Sequence, residues 1–281
     1  MKIVQHPGKI SLKNENFLEM VFLGVGTAFS KKNFNNNMLL IKGDTHILVD
    51  FGYNAPYSLE KNTGLKPTDI EVFLPTHSHA DHIGGVEYLA LLNRYIGTKS
   101  LNKPKLKLIT TEDYVKVFWN YSLRGGLEWN EASKQKKMTL EDYFDIVYAE
   151  PHNHHYRNRF KIKFGEIDLE IFGTNHIPDD AKTQKQAFTS YGLMIDKRIM
   201  YSSDTKFDES LLDMYADDAE IIFHDCSFDA NPVHASINEL KKLPDKWRKK
   251  MYLMHYQDDW EDKDCSDFAG LARPGVRYIF D

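Results

Sequence analysis

The sequence predicts an α/β protein in which two sheets pack face to face with helices outside them. Three observations carry that expectation. Short apolar runs bounded by turn residues recur through both halves of the chain. Stretches of helical periodicity fall between those runs rather than in a block of their own. No linker or internal repeat divides the chain, which reads as one domain over residues 1–281 with a compositionally distinct insertion at about 98–139.

The elements follow in order. Residues 19–24 (EMVFLG) read as a strand leading into the turn Gly24-Val25-Gly26-Thr27. The apolar runs 38–41 and 46–49 flank Lys42-Gly43-Asp44-Thr45, a hairpin signal, and the second run ends in Asp50-Phe51-Gly52. A helix is expected near 56–62, then a strand over 69–74 that delivers the chain to Pro75-Thr76-His77. Val86, Leu89, Ala90 and Leu92 give 84–95 helical spacing. Residues 98–139 hold nine basic and four acidic residues, a local charge of +5, together with Trp119, Tyr121 and Trp129. This segment is expected to be a mostly helical insertion or cover, which either holds polyanions and stacks bases or only covers the core. Beyond it, 159–164, 167–172, 190–195 and 198–202 read as successive strands. Residues 219–223 form a strand ending at His224-Asp225, 236–250 a helix, and 250–254 a strand ending at His255.

Composition narrows the function. With 281 residues, 42% hydrophobic and 27% charged, the chain can bury a core and is not disordered. Cys226 and Cys265 are the only cysteines, which excludes a disulfide scaffold and favours a cytoplasmic protein. No run approaches the ~20 apolar residues of a membrane span, and no signal peptide is expected. A net charge of −5 argues against a general nucleic-acid binder. Subtracting the +5 segment leaves −10 on the remainder.

The strongest feature is Thr76-His77-Ser78-His79-Ala80-Asp81-His82, with three imidazoles and a carboxylate inside six residues after an apolar strand. An irregular turn there can aim several of them at one centre, and neutral imidazole with carboxylate suits Zn²⁺, Fe or Mn²⁺. The run His152-Asn153-His154-His155 lacks that context and reads as a fortuitous cluster.

The motif resembles the signature of the metallo-β-lactamase superfamily, and the resemblance covers nearly the whole chain outside the basic segment. It implies a four-layer αβ/βα sandwich with two divalent metal ions, Zn²⁺ foremost, at the edge of the sheets. His176, Asp204 and His255 arrive after strand ends in the order that the family requires. By resemblance, His77, His79 and His176 hold one metal, Asp81, His82 and His255 the other, and Asp204 bridges them. Asp50 resembles the family's first motif and is expected to orient the ligand loop.

Asp204 stands where β-lactam-hydrolysing members carry a Cys. His79 stands where the flavodiiron branch carries an acid. Both departures point to a hydrolytic two-metal centre, in which the cations lower the pKa of a bridging water to supply the nucleophile. His224-Asp225-Cys226-Ser227-Phe228 and His234-Ala235-Ser236 resemble the short motifs of ribonuclease Z and related phosphodiesterases. They imply that Asp225 orients His234 as general acid, with Asp for the usual Glu, so that Asp81, Asp225 and His234 make up the catalytic set. Tyr191 would line the phosphate site by the same resemblance.

A convincing tRNA-gripping arm is lacking, and smaller relatives with this motif set hydrolyse cyclic nucleotides. The expectation is therefore a phosphodiesterase acting on a small phosphodiester such as a cyclic nucleotide, working as a homodimer. Three alternatives stay open: a tRNA or RNA endonuclease, a lactone or thioester hydrolase, and a metal-site protein that binds a ligand without turnover.

Overall fold

The computed structural model describes residues 1–5, 8–131, 136–152 and 157–281. His154 and His155 of the second histidine run, and Lys134 of the basic segment, lie outside the described residues.

The strands are β1 (Lys2–Gln5), β2 (Leu18–Gly24), β3 (Asn37–Lys42), β4 (Thr45–Val49), β5 (Val72–Leu74), β6 (Leu106–Thr110), β7 (Phe144–Tyr148) and β8 (Glu150–Pro151). They continue as β9 (Arg159–Phe164), β10 (Ile167–Gly173), β11 (Tyr191–Ile195), β12 (Ile199–Tyr201), β13 (Ile221–Asp225), β14 (Met251–Met254), β15 (Gly270–Leu271) and β16 (Val276–Phe280). Two eight-stranded sheets result, in the orders β1-β16-β2-β3-β4-β5-β6-β7 and β15-β14-β13-β12-β11-β10-β9-β8.

β2 is buried from end to end, as is β4, so neither alternates. Such runs are dictated by burial on both faces. The β3–β4 hairpin closes through Gly43 at φ +57°, a left-handed conformation that glycine adopts without steric cost. Between the sheets, the Phe22 ring of β2 meets Tyr201 of β12 and Phe223 of β13, and Tyr278 of β16 meets Phe223 edge-on. Helices cover the outer faces. Tyr215 of Glu209–Tyr215 stacks on Phe172 of β10, and Phe118 packs on Phe73 of β5.

Strand direction places the site. β4 through β7 pair in parallel, as do β12 through β15, and β10 runs in the sense of β12 because β11 is antiparallel to both. The carboxyl ends of β4, β5, β10, β12, β13 and β14 carry the residues of the sequence motifs, the usual place for ligands in open α/β sheets.

One reading of the sequence is qualified and one corrected. Among its described residues the segment 98–139 is helical for the greater part, but β6 also lies inside it and pairs between β5 and β7. Helical structure follows β6, at Glu112–Val117, Phe118–Leu123 and Arg124–Leu127. Residues 236–250 form two short helices, Ile237–Leu240 and Asp245–Arg248, rather than one. Pro244 precedes the second, and it cannot continue the first because it lacks an N–H. β1, β7 and β16 had no strong signal of their own. Among the described residues, no helix is long and apolar enough to cross a membrane.

Candidate metal centre

His77 and His79 lie in the turn after β5, and Asp81 and His82 in the helix Ala80–Ile83 that follows. His176, Asp204 and His255 follow β10, β12 and β14. The turn is laddered to the end of β4: Phe51 N–H donates to the His82 carbonyl (2.6 Å), Tyr53 N–H to that of Ala80 (3.1 Å) and Gly85 N–H to that of Phe51 (2.9 Å). Gly52 is required there, since a Cβ would stand 2.0 Å from the Asp81 carbonyl oxygen. Asp50, Ser203 and His255 all hold positive φ, at 61°, 51° and 60°. Non-glycine residues pay for that conformation, and strain of this kind gathers at functional sites.

All seven residues meet at one place, in two overlapping groups. In the first, His77 Nε2 and His176 Nε2 each stand 3.1 Å from His79 Nδ1, and each is 3.8 Å from Asp204 Oδ2. In the second, His82 Nε2 lies 3.4 Å from Asp81 Oδ2 and 3.2 Å from Asp204 Oδ1. His255 Nε2 completes it at 3.2 Å from Asp81 Oδ2 and 3.3 Å from Asp204 Oδ2. Asp204 belongs to both groups.

The hydrogen bonds around the groups fix the tautomers. His176 Nδ1–H donates to the Val233 carbonyl (2.8 Å), and His82 Nδ1–H to Asp50 Oδ2 (2.7 Å). Thr76 Oγ1 gives its own proton to Asp50 (2.7 Å) and accepts from Ser203 Oγ (3.0 Å), so at 3.1 Å it accepts from His77 Nδ1–H as well. The Nε2 atoms of His77 and His176 are therefore bare lone pairs aimed inward, while His82 presents Nε2 to the Asp204 and Asp81 carboxylates. Burial works to lower the His82 pKa, but these carboxylates and Asp50 outweigh it and raise it well above the ordinary imidazole value. Burial first of all pushes the pKa values of His77, His79 and His176 down, that of His176 to about 4, which keeps these rings neutral. Burial works to raise the Asp204 carboxyl, but His255 and His82 outweigh it and hold it well below the ordinary range.

Lone pairs facing lone pairs at such distances, with His82 Nε2 and both Asp204 oxygens buried and unbonded, are what a cation reconciles. Nitrogens 2.0–2.1 Å from a tetrahedral ion would stand about 3.3 Å apart, close to the spacing found. The residues fit two divalent ions. Asp50, which accepts from Thr76 and His82, orients the loop as its motif suggested.

Asp225 at the end of β13 accepts from His234 Nδ1–H (2.7 Å) and from Thr205 N–H (2.9 Å) through Oδ2. Aspartate thus reaches His234 despite its shorter side chain. Its Oδ1 faces His255 Nδ1 at 3.5 Å, a second contact that the sequence did not reveal. The β13–β14 register, which sets Asp225 beside Met254, creates it. The His234 ring lies 4.5 Å from that of His255 and 4.9 Å from that of His176. Burial works to lower the His234 pKa, but the Asp225 carboxylate outweighs it and pushes it up to about 9.

Other expectations fare differently. Tyr191 is buried away from the site, its hydroxyl bonded to Thr111 Oγ1 (2.9 Å) and its ring edge-on to Tyr114 and Phe160. It does not line the cleft. His224 is buried, with Nδ1–H donating to the Asp225 carbonyl (2.7 Å). Cys226 packs in the core. Ser78 bonds to Tyr114 Oη (3.0 Å) and Ser122 Oγ (3.1 Å), tying the helical segment after β6 to the loop between His77 and His79. Serine gave no signal of this in the sequence.

A cleft of about 380 Å³ opens onto the cluster, lined by His79, Asp81, His176, Asp204, His234 and His255 at its base. Thr27, Ala28 and Phe29 form one wall, and Ala80, Asn231, Val233 and Gln257 complete the lining.

Known proteins resemble this chain in sequence and in fold. A profile of the anti-Pycsar protein Apyc1 family matches residues 18–278. The anti-Pycsar protein Apyc1 of Bacillus phage vB_BsuM-Goe3 is 33% identical over 250 residues, covering 87% of this chain and 91% of the relative. That of Paenibacillus xerothermodurans is 36% identical over 248 residues, covering 87% and 90%. Among solved structures, the metallo-β-lactamase fold protein YhfI from Bacillus subtilis superposes with a TM-score of 0.69 at 14% identity, over 94% of this chain and 100% of that one. The short form of human tRNase Z gives 0.62 at 15% identity, over 94% and 99%. The fold is the metallo-β-lactamase αβ/βα sandwich.

Proposed function

The chain belongs to the anti-Pycsar protein Apyc1 family, and from that premise we propose that it is a metal-dependent phosphodiesterase opening a cyclic nucleotide or similar small phosphodiester. The observation that carries the reading is the pairing of a seven-residue His/Asp convergence with an Asp225–His234 dyad at the same cleft. His77, His79 and His176 would hold one divalent ion and Asp81, His82 and His255 the other, with Asp204 within reach of both, Zn²⁺ being the first choice and Mn²⁺ or Fe the others. When bound, the two ions lower the pKa of a water to supply the nucleophile and neutralise the phosphate.

The chain's own residues do the rest. Hydrolysis adds water across a P–O bond, and the departing alkoxide oxygen needs a proton. Asp225 anchors His234 through Nδ1, so Nε2–H is the proton donor, a role worth about 10²–10⁴-fold in rate. Asp50 and Thr76 hold His82 and His77 in the tautomers that present Nε2. Carboxylates that align ligand imidazoles in this way govern metal affinity. Asp81 contributes its charge beside His255 and His82. The active form is read as a homodimer, which sedimentation of the purified protein checks directly.

The test is a substrate panel offered to protein loaded with Mn²⁺ or Zn²⁺: cyclic mononucleotides, bis(p-nitrophenyl) phosphate, pre-tRNA and a lactone. Turnover of a cyclic mononucleotide that is lost in His234→Ala is the expected result. Cleavage of the lactone alone, surviving His234→Ala, would overturn it. Metal analysis of Asp204→Ala and His79→Ala provides a separate check, because both variants should fall below two ions per chain.

A further inference from the structure

Phe29 is 89% exposed, more than any other large apolar side chain among the described residues, and it stands in the wall of the cleft that leads to the His/Asp cluster. The backbone beneath it is pinned. Tyr53 Oη donates to the Ala28 carbonyl (2.8 Å) on one side of the ring. On the other side, the Asp258 carboxylate accepts from the N–H groups of Lys31 (2.7 Å), Lys32 (3.0 Å) and Asn33 (3.1 Å). Asn33 and Ser30 add bonds to the carbonyls of Gln257 (3.3 Å) and Tyr256 (3.4 Å). A loop held so firmly does not leave its phenyl ring in water by slack. The ring is presented. The neighbouring Gln257 lines the same cleft, and its Oε1, shielded from solvent, has no hydrogen-bond donor.

We infer that the outer part of this cleft is a nucleobase subsite, in which Phe29 supplies the stacking face and the Gln257 side chain lines the cleft beside it. The inference rests on the phosphodiesterase reading above and extends it to the non-reacting half of the substrate. Three features select this occupant. The cleft is continuous with the cluster that would bind phosphate, and about 380 Å³ is room for one mononucleotide. A single ring with one amide beside it accepts every base through its π-face while reading little sequence. Because the loop is fixed before binding, little ordering cost falls on association.

Three measurements test the subsite. The first compares a 3′,5′-cyclic nucleotide with the corresponding cyclic ribose phosphate that lacks a base, on wild type, Phe29→Ala and Phe29→Trp. Phe29→Ala should raise KM for the nucleotide roughly 5- to 30-fold, with kcat within about twofold and the abasic substrate unaffected, and Phe29→Trp should restore KM. An equal KM for both substrates in wild type, or an unchanged nucleotide KM in Phe29→Ala, would overturn the subsite and leave the phosphodiesterase standing. The second is calorimetric titration with a nucleoside 5′-monophosphate and with ribose 5-phosphate, which reads the subsite without turnover. Preference for the nucleotide that disappears in Phe29→Ala supports it even if no phosphodiester is cleaved, and equal binding removes it. The third is sedimentation of Phe29→Ala: conversion of a dimer to monomers would assign the ring to a second copy of the chain and overturn the inference.

Discussion

His234 owes its character chiefly to Asp225, with Asp204 and Asp81 adding to the effect. Burial alone would leave it a weak base, yet the Asp225 carboxylate 2.7 Å away pushes it up to about 9. A general acid must carry its proton, so activity should be sustained below that value and fall as pH climbs through about 9. Asp225→Asn removes the charge that raises the imidazole and keeps the burial that lowers it. The alkaline limb of kcat should then move down, toward and below the ordinary imidazole value of about 6.5. His234→Ala should slow cyclic-nucleotide opening by about 10²–10⁴-fold while largely sparing an ester whose leaving group is p-nitrophenolate, which departs without a proton. A pH–rate profile that keeps its alkaline limb in Asp225→Asn would assign the proton to another group. Most of these residues were legible in the sequence, because each follows an apolar strand and chemistry gathers at strand ends. What could not be read was the second use of Asp225 toward His255, which exists only once β13 and β14 pair in register.

At the scale of elements, the apolar strands and the hairpin at Gly43 were legible, because burial writes itself as an uninterrupted apolar run. β6 shows how that signal fails. Lys105-Leu106-Lys107-Leu108-Ile109-Thr110 alternates polar and apolar residues as a strand does, but it lies in a stretch whose basic charge and aromatic residues suggest a cover. In the fold Leu108 is fully buried and pairs with Phe73 of β5 and Ile146 of β7. Leu108→Ala should therefore cost about 2–5 kcal/mol of stability by the combined loss of transfer energy and creation of a cavity. A detachable cover would lose far less. Denaturant unfolding separates the two, and a change under about 1 kcal/mol would return β6 to the periphery. The split at Pro244 was equally written in the sequence, since proline breaks a helix whose flanks look continuous.

For the molecule as a whole, the question is where its charge can act. The body carries −10 and the segment 98–139 carries +5, which suggested a grip for polyanions. The fold spends two of those five charges on neighbours outside the segment, at Asp69 and Asp145, and fixes other cations on acids within it. Lys99 pairs with Glu131, Arg124 and Lys137 with Glu128, Lys103 with Asp69 and Lys105 with Asp145. Each exposed pair adds little stability, but each removes a cation from the outward field. The paired partners Asp69 and Asp145 lie outside the segment, so its isolated charge overstated its reach. A substrate with one phosphate suits this surface better than a polymer does. Binding that neutralised several phosphates of a single strand would give log(kcat/KM) a slope of about −0.7 per phosphate against log salt. A cyclic mononucleotide should give a slope no steeper than about −1, because one anion displaces few counterions and the charge that meets it lies in the cleft. Pre-tRNA, if cleaved at all, should be cleaved with a low kcat/KM that collapses between low and physiological salt. A steep slope on a favoured RNA substrate, flattened by charge reversal at Lys107 and Lys116, would instead make the basic segment a binding surface and the small phosphodiester the wrong substrate.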